Sequence, residues 1–486
     1  MHKPKIVIVL QCRFRSKRLY GKAMLPLVKE MSVLEFLLRR MLLVKNVDKL
    51  VLTTGAHKSN DILKKIAKKL KISFFEGPEK NVIKRFCLVA KKTKADIIVR
   101  VCGDNPLTDP YLISKQINYF LSKQDKIDHL STFEQNTIPY GAGCAIFKVK
   151  TLMLAEQKTF NNKYFQEHVE PFMLKSSKVI TEYYKAEPKL NYPKLRLSID
   201  DIKDYHYVKS LTEYLFKKNK FKFKTEDIIK IVKKPKVALF ANGEFGLSAL
   251  KLLKKMGVDI VCLITHPDKN AHKKNEIIKC SMLKKNCIID YDKIDKNLKW
   301  FDKLEPVIAL SCWSSYIFKS NLINYFPLGI YNFHNSLLPS LGGSGANIWA
   351  ILKNANTGIT MHKVSTKIDS GPIIYQKEIK TNYSFNGYTL LKKQFSEMLK
   401  ALYLNWENIL INNHKYIKSK YKRSFFLKSE RDKLKQIKLN KKYYFKEILN
   451  ITRAYQYGTK DSSFFYDKQL DNYWSVRLKI SKKNIL

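Results

Sequence analysis

The sequence predicts an α/β fold laid down twice, as two doubly wound, mainly parallel-sheet domains in one chain. Three observations predict it. Short apolar runs alternate with lysine-rich amphipathic stretches of helical length. A basic, proline-containing joint, "KKPKVALF", restarts that alternation near residue 234. The chain, at 486 residues, exceeds what a single hydrophobic core ordinarily holds.

In the first series the expected strands are "KIVIVLQC" (5–12), "KLVLTTG" (49–55), "ISFFEG" (72–77) and "ADIIVRVCGD" (95–104). The pattern turns irregular between about 128 and 200 and closes with two helical stretches ending near Val232. After the joint come the strand and turn "KVALFANGEFG", then "VDIVCLITH", "PVIALSCW" and "GIYNFH". The turn Asn242–Gly246 is not a full G-x-G-x-x-G, and the next strand ends in Thr265–His266 where a ribose would need a carboxylate. A dinucleotide site is therefore not expected, and the glycines serve a tight strand-to-helix turn. No internal repeat is visible, so the two halves are different α/β domains, 1–233 and 234 onward.

The bulk properties restrict the function classes. No apolar run approaches the eighteen or so residues of a membrane span, and the basic, briefly apolar N-terminus lacks a small-residue cleavage site. Eight cysteines, none in C-x-x-C spacing, read as small core residues of a reducing cytoplasm, without zinc or a disulfide framework. The net charge of +49 invites a nucleic-acid reading. Lysine is spread along the whole chain without a dense patch, which favours a solvated coat over a polyanion-binding surface; charge alone leaves both open.

"LQCRFRSKRLYGKAMLPL" places Arg13, Arg15, Lys17, Arg18 and Lys22 in the loop after the first strand. Such a loop at a strand's carboxyl end suits a triphosphate, and equally a plain basic surface. Two carboxylates decide between them. Asp104 closes the expected strand in "VRVCGDNPLTDP", and Asp200 closes another in "LRLSIDD". Carboxylates from two strand ends can converge on Mg²⁺, which keeps much of its water and bridges to phosphate oxygens. Cations with a two-Asp magnesium site suit nucleotidyl transfer.

This half resembles the cytidylyltransferases of the spore-coat polysaccharide type, relatives of the CMP-acidic-sugar synthetases. The matching stretches, in family order, are "QCRFRSKRLYGKAMLPL", "FFEGPEKNVIKRF", "VRVCGDNPLTDP", "QEHVEPFM" and "LRLSIDDIKDY". The resemblance implies that Arg13, Arg18 and Lys22, with Asp104, bind CTP, and that Asp104 and Asp200 hold magnesium. Arg15 and Tyr20 stand where the family usually has Gly and Pro. Tyr140 and Ala145 stand where it tends to have Asp and Glu, near the expected sugar pocket.

In "GIYNFHNSLLPSLGGSGANIW", Asn332 and His334 are two apart on a strand and share a face. About thirty-five residues on, "VSTKIDSGPIIYQKEI" sets Asp369 in a turn before another strand, where it can fold back to the histidine. Asn332 then donates to a developing oxyanion, His334 moves a proton, and Asp369 orients or polarises the histidine or a water. That arrangement suits transfer of a small acyl group to an amine.

From about 235 to 380 the chain resembles the folate-dependent formyltransferases, marked by N-x-H-x-S-L-L-P and a distant D-x-G. The resemblance implies N10-formyltetrahydrofolate as donor, bound beside the loop Ser336, Leu337, Leu338 and Pro339. His362 matches a frequent family position and reads as a strand-face packing residue. The tail resembles the C-terminal region of sugar N-formyltransferases, a helix with Arg453 and a small β element, which makes 234–410 the catalytic part and 411–486 a small α+β appendage.

Together these imply a cytoplasmic bifunctional enzyme that N-formylates an amino sugar or sugar nucleotide and activates a sugar as its CMP derivative for a surface glycan. A homo-oligomer is left open. One alternative is a formyltransferase acting on aminoacylated initiator tRNA; the short tail and the added nucleotidyltransferase argue against it. Another is a degenerate first domain that only binds sugar, supported by Tyr140 and Ala145.

Overall fold

The computed structural model describes residues 3–132, 137–159, 162–457 and 462–479. The chain divides into two compact units, Met1–Lys233 with Ile411–Asn413, and Lys234–Leu410 with His414–Leu486.

The first unit is built on β1 (Ile6–Gln11), β2 (Lys49–Gly55), β3 (Ser73–Gly77), β4 (Ile97–Cys102), β5 (His129–Ser131), β6 (Ala145–Lys148) and β7 (Thr181–Tyr183). They form one seven-stranded sheet in the order β3-β2-β1-β4-β6-β5-β7. Strand β1, IVIVLQ, is buried at every position but its last. Only a central strand covered on both faces tolerates such a run, and β1 pairs in parallel with both β2 and β4. Side chains fix where it starts: Lys5 N donates to Asp96 (2.7 Å) and Ile6 N to Asp48 (2.7 Å). Pairing turns antiparallel only around β6.

One expected strand is absent. Residues 191–200 make a single isolated bridge, Tyr140 to Arg196, and otherwise bond to a loop through Tyr192 N to the Thr137 carbonyl and Leu197 N to the Tyr140 carbonyl. The alternation in "LRLSI" satisfies a strand's period, but its neighbour is itself irregular, so no ladder propagates. Asp200 therefore ends a loop, just before helix α1 (Ile202–Asn219), which Asp201 caps by accepting from Asp204 N. Asp104, likewise, lies two residues past the end of β4.

The second unit contains β8 (Lys236–Ala241), β9 (Asp259–Thr265), β10 (Ile288–Asp290), β11 (Ile308–Cys312), β12 (Ile330–His334), β13 (Thr357–Lys363) and β14 (Ile373–Ile379). Their order is β10-β9-β8-β11-β12-β13-β14, parallel through β12 and antiparallel at β13 and β14. The register of β12 on β13 sets Asn332 opposite His362 and His334 opposite Thr360. The β13–β14 register shifts between Met361 and His362, an irregularity of the kind that re-aims side chains. Both units are thus mainly parallel sheets with flanking helices, and small helices and strands end the chain: helix α2 (Phe445–Ala454) and the hairpin β15 (Ser463–Asp467) and β16 (Asn472–Val476). Arg453 in α2 is buried and donates to the carbonyls of Phe385 and Asn382 and to Asn450, fastening this region to its own unit. Among the described residues no helix is long and apolar enough to cross a membrane.

Candidate active sites

In the first unit the basic loop after β1 returns through Gly21, which holds φ 66°, a left-handed conformation natural to glycine. This turn delivers Lys22 inward. Its Nζ donates to the Ile199 carbonyl (2.8 Å) and to Asp104 (3.2 Å) and lies 3.9 Å from Asp200. Asp200 also accepts from Arg18 and from Arg196, each at 2.8 Å and each on a different carboxylate oxygen. Arg18, Lys22, Asp104 and Asp200 therefore share one cluster. Arg13 does not join it; it is exposed and lies 3.6 Å from Glu167.

Asp104 and Asp200 both face Lys22 Nζ, and carboxylate oxygens are the hard donors Mg²⁺ takes, with water and phosphate completing its shell. The donor set fits that ion. Among the described residues no group of three or more His, Cys, Asp or Glu could hold a metal ion.

Beside this cluster is a cavity of about 360 Å³ whose lining includes Asn105, Tyr140 and Ala145, with Arg100 and Glu170. The Arg196 guanidinium lies 4.7 Å from the centre of the Tyr140 ring. Arg100, embedded in β4, pairs with Glu170, which also accepts from Ser131 (3.2 Å) and lies 3.6 Å from His129. Burial alone would raise the Glu170 carboxyl, but His129, Arg100 and Ser131 outweigh it and hold it at about 2. Sequence reasoning gave this group no role, although Arg100 and Glu170 stand in the matching stretches "VRVCGDNPLTDP" and "QEHVEPFM"; nothing in either stretch says that the two meet.

The pH dependence follows. From its ordinary value of 4.5, Glu170 protonates earlier in the unfolded chain than in the native one. Its contribution to stability is complete above about pH 4.5 and is lost as the pH falls toward about 2. Glu170→Gln should flatten that acid limb in thermal melts. At neutral pH it should be destabilising, by less than the roughly 3–5 kcal/mol of a fully buried pair, because Arg100 is left part-buried without its counter-charge.

In the second unit, β12 ends at a cavity of about 820 Å³ lined by Asn332, His334, His362 and Asp369. That volume lies within the usual range for a small-molecule site. His334 is buried, and its Nε2 lies 3.1 Å from the Leu341 carbonyl. A carbonyl only accepts, so Nε2 carries the hydrogen and the lone pair is at Nδ1. Nδ1 faces Asp369 Oδ1 at 3.7 Å, so a proton arriving there meets a carboxylate. Asp369, at φ 50°, is held by Gly343 N, which donates to its Oδ2 (2.8 Å). The turn needs Gly371: a Cβ there would come within 1.7 Å of the Lys363 carbonyl oxygen. Here is the physical content of the D-x-G spacing.

Asn332 Nδ2 lies 3.1 Å from His362 Nε2. The expectation that His362 only packs on a strand face is corrected by this contact and by its place in the cavity lining, both set by the β12–β13 register. Ser336, Leu337, Leu338 and Pro339 do not line this cavity. The first three are buried, and Thr360 and Gln376 hold the loop: Leu338 N donates to Thr360 (3.1 Å) and Gln376 donates to the Leu338 carbonyl (2.8 Å). The tail does contribute. Lys428, Arg431, Lys435, Tyr455 and Tyr457 line the cavity, and sequence reasoning missed them because nothing in a tail of ordinary composition marks residues that return to a distant site.

These two α/β units define a nucleotidyltransferase-like domain joined to a formyltransferase-like domain. Residues 6–256 match the family model for cytidylyltransferases, 235–397 that for formyl transferases, and 430–482 that for the N-formyltransferase dimerization C-terminal domain. The first match covers half the chain, and the protein belongs to the cytidylyltransferase family, with a formyltransferase domain in the same chain. It is similar to an uncharacterized protein of Methanocaldococcus jannaschii (35% identical over 202 residues, 41% of this chain and 80% of that one). It is also similar to the bifunctional polymyxin resistance protein ArnA of Wigglesworthia glossinidia brevipalpis (35% over 164 residues, 32% of this chain), of which it spans only 25%. A third relative is the spore coat polysaccharide biosynthesis protein SpsF of Bacillus subtilis (27% over 211 residues, 42% of this chain and 85% of that one).

Proposed function

We propose that the protein N-formylates the amine of an amino sugar, free or nucleotide-linked, from N10-formyltetrahydrofolate, and couples a sugar to CMP from CTP, for a surface glycan. The partition we assign is 1–233 for cytidylyl transfer, 234–410 for formyl transfer and 411–486 as an appendage through which two copies associate. A cytoplasmic setting, where CTP and formyl-folate are at hand, suits both reactions.

The observation that carries this reading is the grouping of Asn332, His334 and Asp369 in one cavity, with His334 Nδ1 turned to the carboxylate. As the acceptor nitrogen bonds to the formyl carbon, His334 Nδ1 takes the proton the amine loses. Asn332 offers an amide N–H to the oxygen that gathers negative charge. Asp369 stabilises the imidazolium until the proton passes to the departing nitrogen, leaving a formamide and tetrahydrofolate. The cations Lys428, Arg431 and Lys435 in the lining suit an acceptor bearing phosphate.

In the first unit, Lys22, Arg18 and Arg13 would hold the CTP phosphates, and Asp104 and Asp200 would hold Mg²⁺, which when bound offsets charge at the α-phosphate as pyrophosphate leaves. Tyr140, Ala145 and the 360 Å³ cavity shape the acceptor side. The test is release of pyrophosphate and of tetrahydrofolate across a panel of amino sugars, with CTP and formyl-folate omitted in turn. Both products, each dependent on its own donor, are expected; tetrahydrofolate alone would reduce the first unit to a binding module.

A further inference from the structure

We propose that His362 is a positioning residue for formyl transfer: its ring holds one amide hydrogen of Asn332, so that the amide's second hydrogen is left for the reacting oxygen. The inference rests on the role proposed above for Asn332.

His362 Nδ1 lies 3.2 Å from the Lys363 carbonyl, which can only accept, so Nδ1 carries the hydrogen. Nε2 is then a lone pair. It lies 3.1 Å from Asn332 Nδ2, and of the two ends of the amide only the nitrogen can donate to it. The amide's orientation, which an isolated asparagine leaves free to invert, is thereby fixed with nitrogen toward the ring. An NH₂ group has two hydrogens; the ring occupies one.

The arrangement needs a neutral ring. A doubly protonated imidazole would attract Oδ1 and invert the amide. The groups facing the ring are Asp369, whose Oδ1 lies 4.0 Å from Nε2, and His334 on β12. The neighbouring position in its own strand is Lys363. Burial lowers the His362 pKa most; Asp369 opposes this and His334 adds to it, leaving it at about 4. Near neutral pH the ring stays uncharged and Nε2 stays an acceptor.

A packing residue and a positioning residue respond differently to substitution. His362→Leu keeps bulk and removes the acceptor, while His362→Gln returns an acceptor oxygen at similar reach. Per folded molecule, His362→Leu should lower kcat roughly tenfold to a hundredfold with KM for formyl-folate little changed, and His362→Gln should restore most of it. In an Asn332→Ala background His362→Leu should add no further loss, because the residue it acts through is gone. Full independence of the two losses, or failure of His362→Gln to recover activity while melting like the wild type, would overturn the proposal. If Asn332→Ala alone leaves kcat intact, it is the role of Asn332 that has failed, and the proposal falls with it.

Discussion

His334→Ala lowers kcat for formyl transfer by about 10²–10⁴, and Asn332→Ala by about 10²–10³, while the affinity for formyl-folate changes little. The first removes the nitrogen that accepts the amine's proton; the second removes the N–H that meets the oxyanion. Asp369→Asn keeps the shape, and its side-chain oxygen can still accept from Gly343 N. It removes the charge that would steady the imidazolium 3.7 Å away, so it should cut the rate. Steady-state kinetics on matched, folded protein checks all three. A histidine that served only the fold would instead lower the melting temperature and leave kcat per folded molecule nearly unchanged.

Asp104→Asn removes magnesium-dependent CTP turnover, by about 10²–10³ or more, and leaves formyl transfer at the wild-type rate. The carboxylate is one of two that face Lys22, and the substitution is isosteric, so Lys22 keeps an oxygen to bond while one of the two proposed metal ligands loses its charge. Pyrophosphate release with an acidic sugar acceptor is the readout for the first unit and tetrahydrofolate release for the second. Full CTP turnover by Asp104→Asn would remove the metal assignment. Loss of both activities together would mean that the substitution acts on folding.

What the sequence made legible follows from the range over which each interaction acts. Strand β2 matches its expected 49–55 because a lysine and a glycine bracket an apolar run with no competing pattern. The alternation in "LRLSIDD" predicts a strand where the structure has a loop, because period-two alternation reports one side of a ladder and nothing about the partner, here the irregular stretch at Thr137–Tyr140. His362 was read as packing because its meeting with Asn332 depends on the register of β12 against β13. The nearness of Asp369 to His334 was accessible only as a turn carboxylate before a strand, and their catalytic roles stay within the proposal above. Glu170 and Arg100 lie 70 residues apart and the tail residues lie farther still from β12, so neither contact leaves a local mark.

One chain is proposed to carry both chemistries on a sugar substrate. The most direct measurement incubates the full chain with CTP, Mg²⁺, a panel of amino sugar acids, an aminoacylated initiator tRNA and isotopically labelled formyl-folate, and analyses the products by mass. CMP-linked product that requires CTP and labelled formamide that requires formyl-folate are expected, with Asp104→Asn removing the first alone and His334→Ala the second alone. Label transferred only to an aminoacylated RNA, with no CMP-linked sugar from any acceptor, would contradict it.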